Sequence, residues 1–157
     1  MNRPGLHTIR RSWWALVPVV AASCSSGTGG SPPPADASLK SADAAVVAAM
    51  SSYPAKVSLC RTASSPVVCV EAADRTLGNR IHTYANLLAV GHGFSAPQAD
   101  LTAARNAAQT LANSLEILGD AQPTQANYNQ VRNTFNVDAA IARLRSAVTK
   151  VDGTLGG

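Results

Sequence analysis

The chain has 157 residues, 46% of them hydrophobic but only 4% aromatic, with 13 basic and 9 acidic side chains and a formal charge of +4. That length suits one domain. The charge does not mark a nucleic-acid partner: Arg3, Arg10 and Arg11 precede every acid, the other ten cations face all nine acids, and the nearest thing to a basic cluster is Arg143, Arg145 and Lys150, whereas tight phosphate binding needs a dense patch.

Positions 1–12 carry three arginines and no acid, and Trp13 to Ala22 is a short apolar run ending in small residues. This is the pattern of a secretory signal peptide. A membrane span needs about 20 apolar residues, and this run is about half that and is interrupted by Pro18. Ala21-Ala22-Ser23 stand directly before Cys24. The arrangement resembles the lipobox of bacterial lipoproteins, with Ala21 where the commonest pattern has Leu.

The resemblance covers the first 24 residues. It implies that residues 1–23 are a signal peptide cut just before Cys24, and that Cys24 is diacylated and its new N-terminus acylated. The mature protein is then expected to be exported and lipid-anchored on the bacterial cell membrane or outer membrane, facing the periplasm or exterior. Ser25 is compatible with outer-membrane sorting in that family. The competing reading is ordinary cleavage with Cys24 as an incidental thiol, an odd leftover in an exported chain. Arg10-Arg11-Ser12-Trp13-Trp14 also resembles a twin-arginine signal, so the export route stays open.

Residues 24–37 hold Ser, Gly and Pro with no large apolar side chain. Such a segment cannot bury enough surface to offset its ordering entropy, and it is expected to be a disordered tether. Its glycines and serines make it flexible, and Pro32-Pro33-Pro34 stiffens its second half. The body of the protein is expected over 38–153, with 154–157 a frayed tail.

A first helix is predicted from Leu39 to Ser52, capped by Ser38, with Leu39, Val46 and Met50 at helical spacing. Tyr53-Pro54 is expected to end it, because the residue before proline avoids helical geometry. Residues 56–70 admit a hairpin or a helix start. A helix from Pro66 is preferred, with Ser65 as cap and proline at the first position, because Val70, Leu77, Ile81, Tyr84 and Leu88 then share one stripe that ends before Gly91. Glu71 and Asp74 fall in its first turns, where acids favour the positive end of the helix dipole.

Ser95-Ala96-Pro97-Gln98 offers a capping box for a third helix. Its seam is Leu101, Ala104, Ala108, Leu111, Leu115 and Leu118, with Gly119 placed to end it in the left-handed conformation. Pro123-Thr124 opens an Asn- and Gln-rich stretch with Tyr128, Val131 and Phe135 on a narrow apolar edge. A second seam, Val137, Ile141, Leu144, Val148 and Val151, is out of phase with it. The phase change predicts a break near Asn136, with Asp138 capping the last helix. The sum is an all-α antiparallel bundle of about four to five helices behind the tether.

Cys60 and Cys69 are the other two cysteines. In an exported protein this close pair is expected to be a disulfide, a staple rather than a redox catalyst. No phosphate loop, dinucleotide fingerprint, zinc-protease pair or nucleophile elbow is present in the sequence, and the expectation is a non-enzyme without a metal or resident cofactor. The one cluster worth weighing is IHTYANLLAVGHGF, where His82, Tyr84 and His92 stand among apolar residues. Tyr or His ligation of haem iron is the chemistry it admits.

Two functions follow as expectations. The first is a membrane-anchored interaction, scaffold or inhibitor module with a protein partner in the envelope, its membrane contact made by the lipid on Cys24. The second is a small apolar-ligand or haem carrier centred on Tyr84 and His82.

Overall fold

A computed structural model describes residues 35–121, 123–124 and 126–155. The expected signal peptide, Cys24 and most of the expected tether lie outside the described residues. The elements are α1 (Ala35–Leu59), a 3-10 turn (Cys60–Thr62), α2 (Pro66–Val90), α3 (Gln98–Asp120), the short α4 (Tyr128–Thr134) and α5 (Val137–Thr154), with no strand among the described residues.

Four long helices form an antiparallel bundle. α1 packs on α2 and α5, and α3 packs on the same two, so the four close into a ring. Cross-links between α1 and α2 fix their opposite directions. Asp36 of α1 meets Ser95 just past the end of α2, Tyr53 meets Asp74, and Cys60 meets Cys69. As the position rises along α1, its partner falls along α2. Asp100 in the first turn of α3 pairs with Lys150 in the last turns of α5 at 2.7 Å, so these helices also run opposite ways. Ala104 and Ala108, both fully buried, let α3 approach its neighbours closely in a core with few aromatic rings.

α2 occupies the predicted range, and the hairpin alternative over 56–70 is not formed: Val57 belongs to α1 and Val67 to α2. Pro66 holds the first helical position, but Ser65 makes no side-chain cap. α1 is longer than predicted at both ends. Ser38 lies inside it, and Ala35 to Ala37, assigned to the tether by composition, are its first turn. Pro54 sits within the helix rather than ending it. A proline inside a helix costs about 3 kcal/mol through a lost bond and a ring clash. Here Pro54 is exposed, while its neighbour Tyr53 is buried and the disulfide fixes the chain six residues later. Tertiary packing overrides the local preference.

The helix ends differ from the sequence expectation in other places. The Ser95 box does not form, because the Ser95 backbone N–H donates to Asp36 at 2.8 Å and Pro97 is the N-cap. Gly119 is helical, and α3 stops one residue later. The Asn- and Gln-rich stretch opens with a turn in which Asn127 Oδ1 accepts from Thr124 N at 2.7 Å, and α4 starts only at Tyr128. The predicted break is present: Asn136 has φ 52°, a left-handed conformation that Asn tolerates better than most residues. Asp138 is not the cap of α5; it pairs with Arg132. The tail is ordered further than expected, with Gly153 and Thr154 helical and Leu155 buried. Between α2 and α3, Gly91 leaves no room for a side chain. A Cβ there would lie 2.3 Å from the Phe94 ring and 2.6 Å from the Leu87 carbonyl oxygen.

The Cys60–Cys69 disulfide joins the end of α1 to the start of α2, with the Cα atoms 5.4 Å apart. It closes a short ring, so in the chain-entropy account it stabilises the fold by about 2–3 kcal/mol. Replacing both cysteines with alanine is expected to lower the unfolding free energy by that amount without changing the helix content. Urea denaturation followed by circular dichroism checks this, and an unchanged midpoint contradicts it.

Candidate functional site

The bundle contains two buried polar clusters, both built between α1 and α2. In the first, Asp74 of α2 is 4% exposed. The Tyr53 hydroxyl donates to its Oδ1, and the Tyr128 hydroxyl donates to Oδ2 at 3.0 Å. Arg132 lies over the Tyr53 ring, 5.1 Å from its centre, and pairs with Asp138 at the surface. Burial raises the Asp74 pKa; the two hydroxyls and the Arg132 charge pull it back. Burial is also the main reason the Tyr53 pKa rises and that of Tyr128 is pushed up to about 12. Both phenols therefore stay protonated and act as fixed donors. The cluster ties α1, α2 and α4 together at one depth of the core.

The second cluster is Asp43 of α1 with Tyr84 of α2. Neither oxygen of the Asp43 carboxylate and not the Tyr84 hydroxyl makes a well-formed hydrogen bond, although the hydroxyl is near enough to favour the charged carboxylate. Burial dominates and raises the Asp43 pKa to about 6, with the Asp152 charge of α5 pushing the same way. All three tyrosines of the chain are buried, and each faces one of these two aspartates.

Asp74 is therefore a core residue and not a solvated charge at the helix dipole, as its position near the start of α2 suggests. The available signal is register. Asp74 stands between Val70 and Leu77 on the apolar stripe, and Asp43 stands likewise between Leu39 and Val46. A carboxylate on a seam needs a buried partner, and the tyrosines are the partners.

The disulfide end of the bundle has a different character. Leu59 and Val68, each next to a bridged cysteine, are 73% and 64% exposed. Two clefts flank the bridge. One, an open cleft of about 270 Å³, is walled by Val57, Cys60, Arg61, Pro66, Val67, Val70, Tyr128 and Asn129. The other, flatter, lies along Lys56, Leu59, Cys69 and the Ala72–Ala73 face of α2. This is the only part of the described surface where cleft, exposed aliphatic side chains and staple coincide.

Of the residues singled out from sequence, Cys60 and Cys69 are joined, and Cys24 lies outside the described residues. His82 is exposed on α2, His92 is exposed in the loop after it, and Tyr84 is in the core facing Asp43. The three do not converge, and neither cleft is lined by any of them. Among the described residues no group of three or more His, Cys, Asp or Glu is placed to hold a metal, and no helix is long and apolar enough to cross a membrane. Comparison with protein-family models, with curated proteins and with solved structures finds no match to this chain.

Proposed function

We propose that the protein is a lipid-anchored helical interaction module of the bacterial envelope, moored through Cys24 and engaging a protein partner with the disulfide end of its bundle. The observation that supports this most is the polarity of the bundle. The chain enters α1 at Ala35, beside Ser95, and the Leu59–Val68 surface lies at the other end of α1. A helix of 25 residues separates the two by about 37 Å at 1.5 Å per residue. A body held by its N-terminal end therefore projects its apolar tip away from the anchor. Exposed aliphatic side chains around a rigid staple are what a contact surface needs.

The test is affinity capture from solubilised native envelope with three baits: the native protein, Cys24→Ala, and Leu59→Asp with Val68→Asp. Both tip positions are exposed, so that double variant is expected to fold. The expected result is a protein retained by the native bait, depleted on the unlipidated bait and lost on the tip variant. Identical retention by all three baits counts against the reading.

A further inference from the structure

The cleft of about 270 Å³ beside the disulfide has three properties that together name a ligand chemistry. Its walls are mostly aliphatic, with Val57 from α1 facing Pro66, Val67 and Val70 from α2. Tyr128 adds a ring, and because its hydroxyl is turned onto Asp74 the tyrosine has no free donor for a guest. The one charged residue in the wall is Arg61, which is exposed and has no ion-pair partner among the described residues. Across the disulfide the second cleft repeats the pattern, with Lys56 its only charge and again no acid. An apolar trough with a lone cation at its edge complements a guest with an apolar tail and a negative head.

The volume narrows the guest further. It exceeds the roughly 150 Å³ apolar cavity that accepts a benzene-sized molecule, and it falls short of the ~300–1,000 Å³ of pockets that enclose larger ligands. One unbranched acyl chain fits between these limits. The open side lets such a chain lie along the trough, and a planar guanidinium matches a carboxylate in a two-point contact. The disulfide holds Cys60 and Cys69 together, and so keeps the two valine-lined walls from separating.

We propose that this cleft binds a single-chain carboxylate amphiphile of the fatty-acid type, its tail against Val57, Val67, Val70 and Tyr128 and its carboxylate on Arg61. The site does not depend on the tip engaging a protein, since Leu59 and Val68 lie outside its walls.

The test is a titration of the full chain, with labelled valine and leucine methyl groups, by decanoate below its micelle concentration. Decyltrimethylammonium is the cationic control, and Arg61→Glu is the variant, at an exposed position where the fold is not at stake. The expected result is saturable shifts of the Val57, Val67 and Val70 methyls with decanoate, and weaker binding of the cationic amphiphile. Arg61→Glu is expected to weaken decanoate about fivefold or more and to strengthen the cationic amphiphile, because the charge at the rim has changed sign. Three results overturn the proposal: no saturable shift; shifts confined to Leu59 and Val68, which mark a flat protein-contact surface; or equal binding of both amphiphiles that Arg61→Glu leaves unchanged, which marks adventitious apolar contact.

Discussion

Replacing Asp74 with alanine is expected to lower the unfolding free energy by about 3–5 kcal/mol, as much as truncating a large side chain of the apolar core. The carboxylate is the acceptor for two buried hydroxyls, those of Tyr53 and Tyr128. Removing it strands both donors, and each unsatisfied buried group costs about 1–3 kcal/mol. The deletion also leaves space in a packed core and takes away the charge that faces Arg132. Chemical denaturation of Asp74→Ala measures the loss. The cause is separated from simple cavity formation by a second background, Tyr53→Phe with Tyr128→Phe. There the hydroxyls are already gone, and Asp74→Ala should cost at least 2 kcal/mol less than in the native chain, because removing both partners of a buried hydrogen bond costs less than removing one. Equal cost in the two backgrounds would show that the tyrosine contacts contribute nothing.

The second large effect is a pH dependence, and it has the opposite sign. Asp43 has a folded pKa of about 6 against 3.8 for a free carboxyl. The folded protein therefore binds this proton more readily than the unfolded chain, and stability rises as pH falls. The contribution is fully present below about pH 3.8 and is lost as pH rises through 6. The gap between the two values corresponds to about 3 kcal/mol, of which about 1–1.5 kcal/mol is expected between pH 7.5 and pH 5. Asp43→Asn should flatten the slope by the Asp43 share, leaving the part of the same sign that comes from the raised Asp74 pKa, and stabilise the protein by about 1–3 kcal/mol at pH 7.5, since a neutral amide carries no charge into the core. The groups that bear on Asp43 are Tyr84 from α2 and Asp152 from α5, and neither provides a compensating cation. Urea midpoints at the two pH values, for the native chain and Asp43→Asn, decide the matter. Parallel profiles for the two proteins would remove Asp43 as the cause.

These two aspartates also show where the sequence is legible and where it is not. The bundle, the bounds of α2 between Pro66 and Gly91, the break at Asn136 and the pairing of Cys60 with Cys69 can be read from periodicity, punctuation and the close spacing of the two cysteines. Those features depend on local chemistry or on short sequence separation. The passage of α1 through Pro54 and the burial of Asp74 depend on groups far along the chain. Tyr53 and Asp74 are 21 positions apart, and Tyr128 and Asp74 are 54 apart. Helix caps are misplaced for the same reason: Asp36, 59 positions away, takes the Ser95 N–H that a local box would leave free. The Leu59–Val68 tip has no sequence signature, because a valine or leucine at a helix end reads as core until the neighbouring helices are placed.

The proposal as a whole rests on a bundle moored by its N-terminal end outside the cytoplasm. The most direct measurement is the intact mass of the protein purified from its native host membrane, before and after reduction. The account predicts a chain that starts at Cys24, carries the added mass of acyl chains, and gains two mass units when the Cys60–Cys69 bridge opens. A product that keeps residues 1–23, or one that starts at Cys24 without lipid, would contradict it.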